Sequence, residues 1–282
     1  MSSENQKILD ELAKMVNFTK DELTKKPIYK HTLTPKQLLI ITMFAAINSY
    51  TEAIFELCKR CRPEAAIVIL RSITEAYINS LYILGSPNNR LLYLFAIEDS
   101  YKKQSLVTLV SDLYKRYPNL RSKIITKKRL KEMAQISKKE LRDYKSNLGM
   151  FYKNKGDFNK AWGNLFCRAA KVDKRLKKRQ KGKGGNVEHT YTMVYRYLSD
   201  YTHLSMRGLQ HFWVKDGQGE SLILDKNPDK IDLVLPSTFV FYLYFATRLK
   251  QYKIIDGSLA PYNRFLNKEI IKQKKAVVPK KL

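Results

Sequence analysis

Apolar residues in this chain recur mainly at intervals of three and four, the spacing of one helix face, and hardly anywhere in strict alternation. Near the N-terminus Ile8, Leu9, Leu12 and Met15 form such a stripe within residues 4–28, predicting one or two short helices. Thr34-Pro35 reads as an N-cap with proline at the first helical position, opening a long helix over about 35–61. Pro63 ends it, and a second apolar helix follows over about 63–84 until Gly85-Ser86-Pro87-Asn88-Asn89 breaks the pattern. From 90 to 170 the period stays helical but the residues become far more charged. Helices are predicted near 89–116, 118–134, 137–154 and 157–171, separated by Tyr117-Pro118 and Lys155-Gly156-Asp157. Gly184-Gly185 leads into a helix over about 187–203, and two more are predicted over 229–255, with Pro236 early in it, and 259–275. The one strand candidate is a hairpin within 212–225, where Asp216-Gly217-Gln218-Gly219 separates two apolar runs.

This pattern predicts an all-α protein, a multi-helix bundle. Residues 35–86 and 187–275 supply its core helices, and 89–171 form a charged helical insertion. Residues 1–34 are expected to be an N-terminal helical arm, 172–186 a basic loop and 276–282 a basic tail. Composition agrees: 44% of the residues are apolar, 18 are Tyr and 12 are Phe, which excludes a disordered chain, while 11 Gly and 9 Pro are too few for many short strands and turns.

Charge changes the picture more. Against 53 Lys and Arg stand 26 Asp and Glu, a formal net charge of +27. Such an excess draws polyanions by counterion release, with nucleic acid the first partner expected and acidic lipid the second. The excess is uneven. Residues 174–183 hold seven basic residues in ten, namely Lys174, Arg175, Lys177, Lys178, Arg179, Lys181 and Lys183. The uncharged apolar runs, Leu38–Thr51 and Leu233–Thr247, are shorter than the roughly 20 residues a membrane-spanning helix needs, so no transmembrane segment and a cytoplasmic setting are expected.

The segment directly after the basic block carries the candidate chemistry. At about 100° per residue, Arg196 and His203 fall on one stripe of the 187–203 helix with Asp200 between them, beside Tyr197 and Ser199. An ion pair of Arg196 with Asp200 is the structural reading, and a phosphate-handling site is the functional one. A second polar stripe, Arg71 and Glu75 one turn apart, lies in the otherwise apolar 63–84 helix, which is expected to be buried. It forms either an internal salt bridge or a support for the Arg196–His203 stripe. Cys58 and Cys61 make a C-x-x-C without further ligands at metal-site spacing, so they read as ordinary thiols.

An arginine followed by six residues and a histidine, on a helix of an all-α chain, resembles the motif of the HEPN superfamily. Leu70-Arg71-Ser72-Ile73-Thr74-Glu75-Ala76 and Tyr195-Arg196-Tyr197-Leu198-Ser199-Asp200-Tyr201-Thr202-His203 also resemble the DUF5677 family of helical bacterial proteins. The HEPN resemblance implies a metal-independent endoribonuclease, a toxin or antiviral effector without cofactor or metal, acting on RNA as a homodimer and held by an antitoxin or other protein partner. It assigns the phosphate to Arg196 and proton transfer to His203, with Asp200, Ser199, Tyr197, Arg71 and Glu75 in support. Two alternatives stand beside it: a nucleic-acid-binding or regulatory protein without chemistry, and a peripheral membrane or scaffold protein.

Overall fold

Helix α1, Ser3–Thr24, opens on Ser2, whose hydroxyl accepts a bond from the Asn5 amide at 3.2 Å. The computed structural model describes residues 2–117, 126–148, 158, 162–179, 186–196, 198–199, 213–216, 219–222 and 230–271. Helix α2, Pro35–Lys59, begins with a reciprocal cap. The Thr34 hydroxyl accepts from the Gln37 amide at 3.3 Å, and the Gln37 side chain accepts from the Thr34 amide at 2.9 Å. It ends where Cys61 turns left-handed at φ 51°, with the Arg62 amide donating to the Leu57 carbonyl at 2.8 Å. Then come α3, Pro63–Leu84; α4, Arg90–Arg116; α5, Lys127–Asn147; and α6, Leu165–Arg179. Helix α7, Val187–Thr190, passes directly into a π-helical turn, Tyr191–Arg196. Strands β1, Trp213–Asp216, and β2, Gly219–Leu222, pair antiparallel with Trp213 opposite Leu222. Helix α8, Ile231–Gln251, and α9, Ala260–Phe265, which continues into a π turn at Leu266–Ile271, close the described chain.

The fold class is therefore all-α with one small hairpin, as the pattern predicts. Two compact units divide the chain. One comprises Met1–Leu81 and Val172–Leu282, the other Tyr82–Lys171, so the boundaries fall inside α3 and α6.

In the first unit α8 is the central element. Phe239, Tyr242 and Phe245 on it are fully buried, each stabilising the fold by about 1.5–3 kcal/mol on area grounds. Tyr242 meets the Phe44 ring of α2 at 5.3 Å, bonds the Thr19 hydroxyl of α1 at 2.5 Å and donates to the Asn48 carbonyl of α2 at 2.8 Å. Tyr77 of α3 packs on Phe241 and Tyr244 at 4.7 and 4.8 Å, and Ser80 donates to the Tyr244 hydroxyl at 3.1 Å. One helix thus binds α1, α2 and α3. The expected N-terminal helical arm, residues 1–34, contains α1, on which Ile8, Leu9, Leu12 and Met15 are all buried. A further tie joins α1 to the chain after α8, where the Glu22 carboxylate accepts from the Asp256 and Gly257 amides at 3.0 and 2.6 Å and pairs with Lys25. A side chain at position 257 would collide with Phe18 and Glu22, so this close approach requires glycine.

In the second unit α4 and α5 pack antiparallel. Glu140 of α5 takes bonds from Lys103 and Ser100 of α4 at 3.2 and 3.3 Å, and Tyr93 faces Tyr144 at 6.3 Å. Trp162 donates to Glu98 at 2.9 Å beneath the Arg168 guanidinium, 4.6 Å from its ring. Gly163, at φ 73°, provides the left-handed turn that precedes α6.

Several predicted boundaries change. The helices expected at 118–134 and 137–154 overlap one unbroken α5. Ser137 does not interrupt it, because its hydroxyl bonds the Ala134 carbonyl of the same helix at 3.2 Å. Phe158 and Trp162 are helical as expected, but Gly163 and Asn164 break the helix expected at 157–171, and the helix after them runs Leu165–Arg179, so the first part of the expected basic loop is helical. Helix α3 is not buried all round, since Val68 is exposed. Helices α2 and α3 also reach the length and apolar character of a bilayer-crossing helix, with mean hydropathies of 1.6 and 1.3 over 18-residue windows that are 28% and 56% buried. The residues expected as a basic tail, 276–282, lie outside the described ones.

Candidate nucleic-acid interface

Helix α7 starts at Asn186, whose side chain makes no cap. The missing acceptor comes from α6 instead. The buried Asp173 carboxylate accepts from the Val187 amide at 2.8 Å and from the Glu188 amide at 2.9 Å. This satisfies two of the otherwise unpaired first-turn amides and sets a negative charge at the positive end of the helix. Sequence reading missed Asp173. Its only signal was an acidic residue just before a lysine-rich block, which tells nothing about a partner 14 residues further on.

After one α-turn the backbone widens into the π turn Tyr191–Arg196. The even 100° spacing assumed for residues 187–203 therefore fails over this stretch. Short π segments commonly occur at functional sites because they redirect side chains that a regular helix would align. Tyr191 and Tyr195 stack there, ring centroids 5.3 Å apart and planes 23° apart. Arg71 of α3 lies over the Tyr195 ring at 4.9 Å and donates from Nη2 to its hydroxyl at 3.2 Å. The Ser199 hydroxyl donates to the Tyr195 carbonyl at 2.9 Å. Helix α3 thus grips the residue immediately before Arg196.

Arg196 itself is exposed and has no ion pair among the described residues. Glu75 is half-buried, and the Arg71 guanidinium meets Tyr195. Tyr197, Asp200 and His203 lie outside the described residues, and the Arg196–Asp200 pairing with them.

Within the basic block Lys174, Lys177 and Lys178 are exposed on α6, and at i, i+3 and i+4 they share one face. Arg175 differs. Its Nη2 donates to the Leu81 carbonyl at 3.0 Å, near the C-terminal end of α3, where carbonyls lack helical partners. It serves packing between α3 and α6 more than an outside ligand. Arg179 ends α6, while Lys181 and Lys183 lie outside the described residues. Cys58 is buried, and burial pushes its thiol up to about 12, which leaves it protonated and unreactive at neutral pH. Among the described residues no cluster of three or more His, Cys, Asp or Glu is arranged to hold a metal ion.

Both segments, Leu70–Ala76 and Tyr195–His203, fall within residues 37–220, which match the model of a family described as a family of unknown function (DUF5677). The chain belongs to this family. Helices α1 and α8 lie outside the matched span. No curated protein and no solved structure matches the chain.

Proposed function

We propose that this DUF5677 member is a HEPN-like, nucleic-acid-associated protein and a metal-independent endoribonuclease of toxin or antiviral type. The observation that carries the reading is an exposed Arg196, without an ion pair among the described residues, at the end of a π turn that Arg71 holds at Tyr195 and that follows a helix start held by Asp173. An exposed guanidinium on a braced segment suits an anionic phosphate partner. In this mechanism Arg196 binds a backbone phosphate and stabilises charge as it builds on the equatorial oxygens. His203 takes the proton from the adjacent ribose 2′-hydroxyl. The 2′-oxygen then forms a bond to phosphorus while the bond to the 5′-oxygen breaks, and that oxygen leaves with a proton. The products are a 2′,3′-cyclic phosphate and a free 5′-hydroxyl. Pairing of two copies would bring a second motif to the same phosphate.

The test is incubation of RNA with the full chain in excess chelator. Cleavage to cyclic-phosphate ends is expected, and its loss in Arg196→Ala and in His203→Ala with helical circular dichroism unchanged. Intact RNA with the wild-type dimer would overturn the reading.

Binding without chemistry is favoured by one observation, the shared exposed face of Lys174, Lys177 and Lys178. It predicts salt-sensitive binding whose log–log slope falls by about 2 to 3 when all three become Gln, and indifference to His203→Ala.

A further inference from the structure

Away from that site, α4 and α5 enclose a groove of about 360 Å³ lined by Val107, Ser111, Tyr114 and Lys115 of α4 and Lys127, Leu130, Lys131 and Ala134 of α5. This is the low end of the roughly 300–1,000 Å³ common for small-molecule sites. Val107, Leu130 and Ala134 give its lining aliphatic surface, and Lys115, Lys127 and Lys131 make it cationic. Lys115 is paired with Asp112 at 3.2 Å. Lys127 and Lys131, one turn apart and both exposed, have no ion pair among the described residues. On the remaining face of α4, Leu106, Leu109, Leu113 and Tyr117 stand exposed at helical spacing, so apolar surface continues outside the groove.

We propose that this groove binds an anionic amphiphile, a carboxylate or phosphate head on an aliphatic chain. Lys127 and Lys131 receive the head, as flexible point charges without the bidentate geometry of arginine. The aliphatic walls take the chain, and each methylene removed from water adds to affinity. The positive first turn of α5 adds to the attraction. A nucleic-acid base fits the groove poorly, because base binding relies on aromatic platforms and Tyr114 is the sole aromatic among the described residues lining it. The site does not depend on Arg196 or His203.

The test is titration of the full chain with dansyl-undecanoate, followed by dansyl fluorescence. Saturable 1:1 binding is expected, weakened about tenfold or more in Lys127→Gln/Lys131→Gln. It is expected to be unchanged in Lys138→Gln/Lys139→Gln, which removes the same charge elsewhere on α5, and lost in Ala134→Trp, which fills the groove. Displacement by monomeric myristate assigns a free amphiphile. Binding of phosphatidylglycerol vesicles that fails in the same two groove variants assigns a bilayer lipid. Either outcome supports the proposal. Absence of saturable binding, equal weakening in both lysine pairs, or displacement by a single-stranded RNA oligonucleotide as effective as by myristate overturns it. Measuring the same titration on Arg196→Ala separates it from the nuclease reading: unchanged binding is expected there whether or not RNA is cleaved.

Discussion

Helices α8 and α5 are each 21 residues long, but they use their side chains in opposite ways. Eleven residues of α8 are buried, and its polar atoms are turned inward to Thr19, Asn48 and Ser80. On α5, Leu130 and Ser137 are the buried ones among its described side chains, and eight of its residues are basic. In α8, then, position is fixed by many apolar contacts and a few satisfied hydrogen bonds, and nearly any change should be felt by the whole unit. In α5 the contact with α4 is a narrow stripe, and the rest of the surface is free to carry ligands. Length and helicity alone do not separate structural from functional helices. The fraction of side chains left over after packing does.

The comparison breaks most visibly in the core. Phe239→Ala removes a fully buried ring from α8 and is expected to cost about 3–5 kcal/mol in chemical denaturation. A cost below about 1 kcal/mol would show α8 to be less central than its burial implies.

Next in size is Asp173→Ala, which leaves the Val187 and Glu188 amides without their acceptor. A loss of about 1–3 kcal/mol is expected, with faster hydrogen exchange at those two amides. Protection unchanged there would mean that α7 is held by something other than this carboxylate.

A smaller effect sharpens the role of inward polar groups. The hydrogen bond from Lys25, then those from Gly257 and Asp256, hold the Glu22 carboxyl below its ordinary value of 4.5 despite burial. A depressed carboxyl contributes stability that is fully present above the unfolded-state value and is lost as pH falls through the folded one. Glu22→Gln should therefore cost about 1 kcal/mol at neutral pH. The difference from wild type should vanish in acid, below the depressed folded-state value. A difference independent of pH would refute the charge argument.

Smallest of all should be Leu109→Ser on the exposed face of α4. Unfolding should shift by no more than about 0.5 kcal/mol, because there is little packing to lose. A large loss would reveal that this face is covered in solution.

Much of the fold was legible because helix formation is read locally. Thr34-Pro35, Pro63 and Gly85-Ser86-Pro87 marked the ends of α2 and α3 to within about two residues, and the Ile8–Met15 stripe marked the buried face of α1. Where no Gly or Pro intervened, local signals failed. Residues 134–137 were read as a break although Ser137 satisfies its hydroxyl within the helix, and α6 continues into lysines that composition suggested as loop. The site was legible only in part. Spacing pointed to Arg196 and to the relevance of Arg71, but Asp173 and the π turn left no mark in the periodicity.

The sequence by itself determined that the chain is mainly helical, where α2 and α3 begin and that the chain is strongly cationic, since caps, periodicity and charge act over a few residues. Tertiary structure decided what each polar group is used for. Arg71 meets Tyr195, 124 residues away, Arg175 the Leu81 carbonyl, and Asp173 the start of α7, whereas Arg196, Lys174, Lys177 and Lys178 of α6 and Lys127 and Lys131 of α5 are exposed. Which cation packs and which remains available depends on what the folded chain brings within hydrogen-bonding reach. No local pattern encodes that choice, because the partners are chosen by packing between helices distant in sequence.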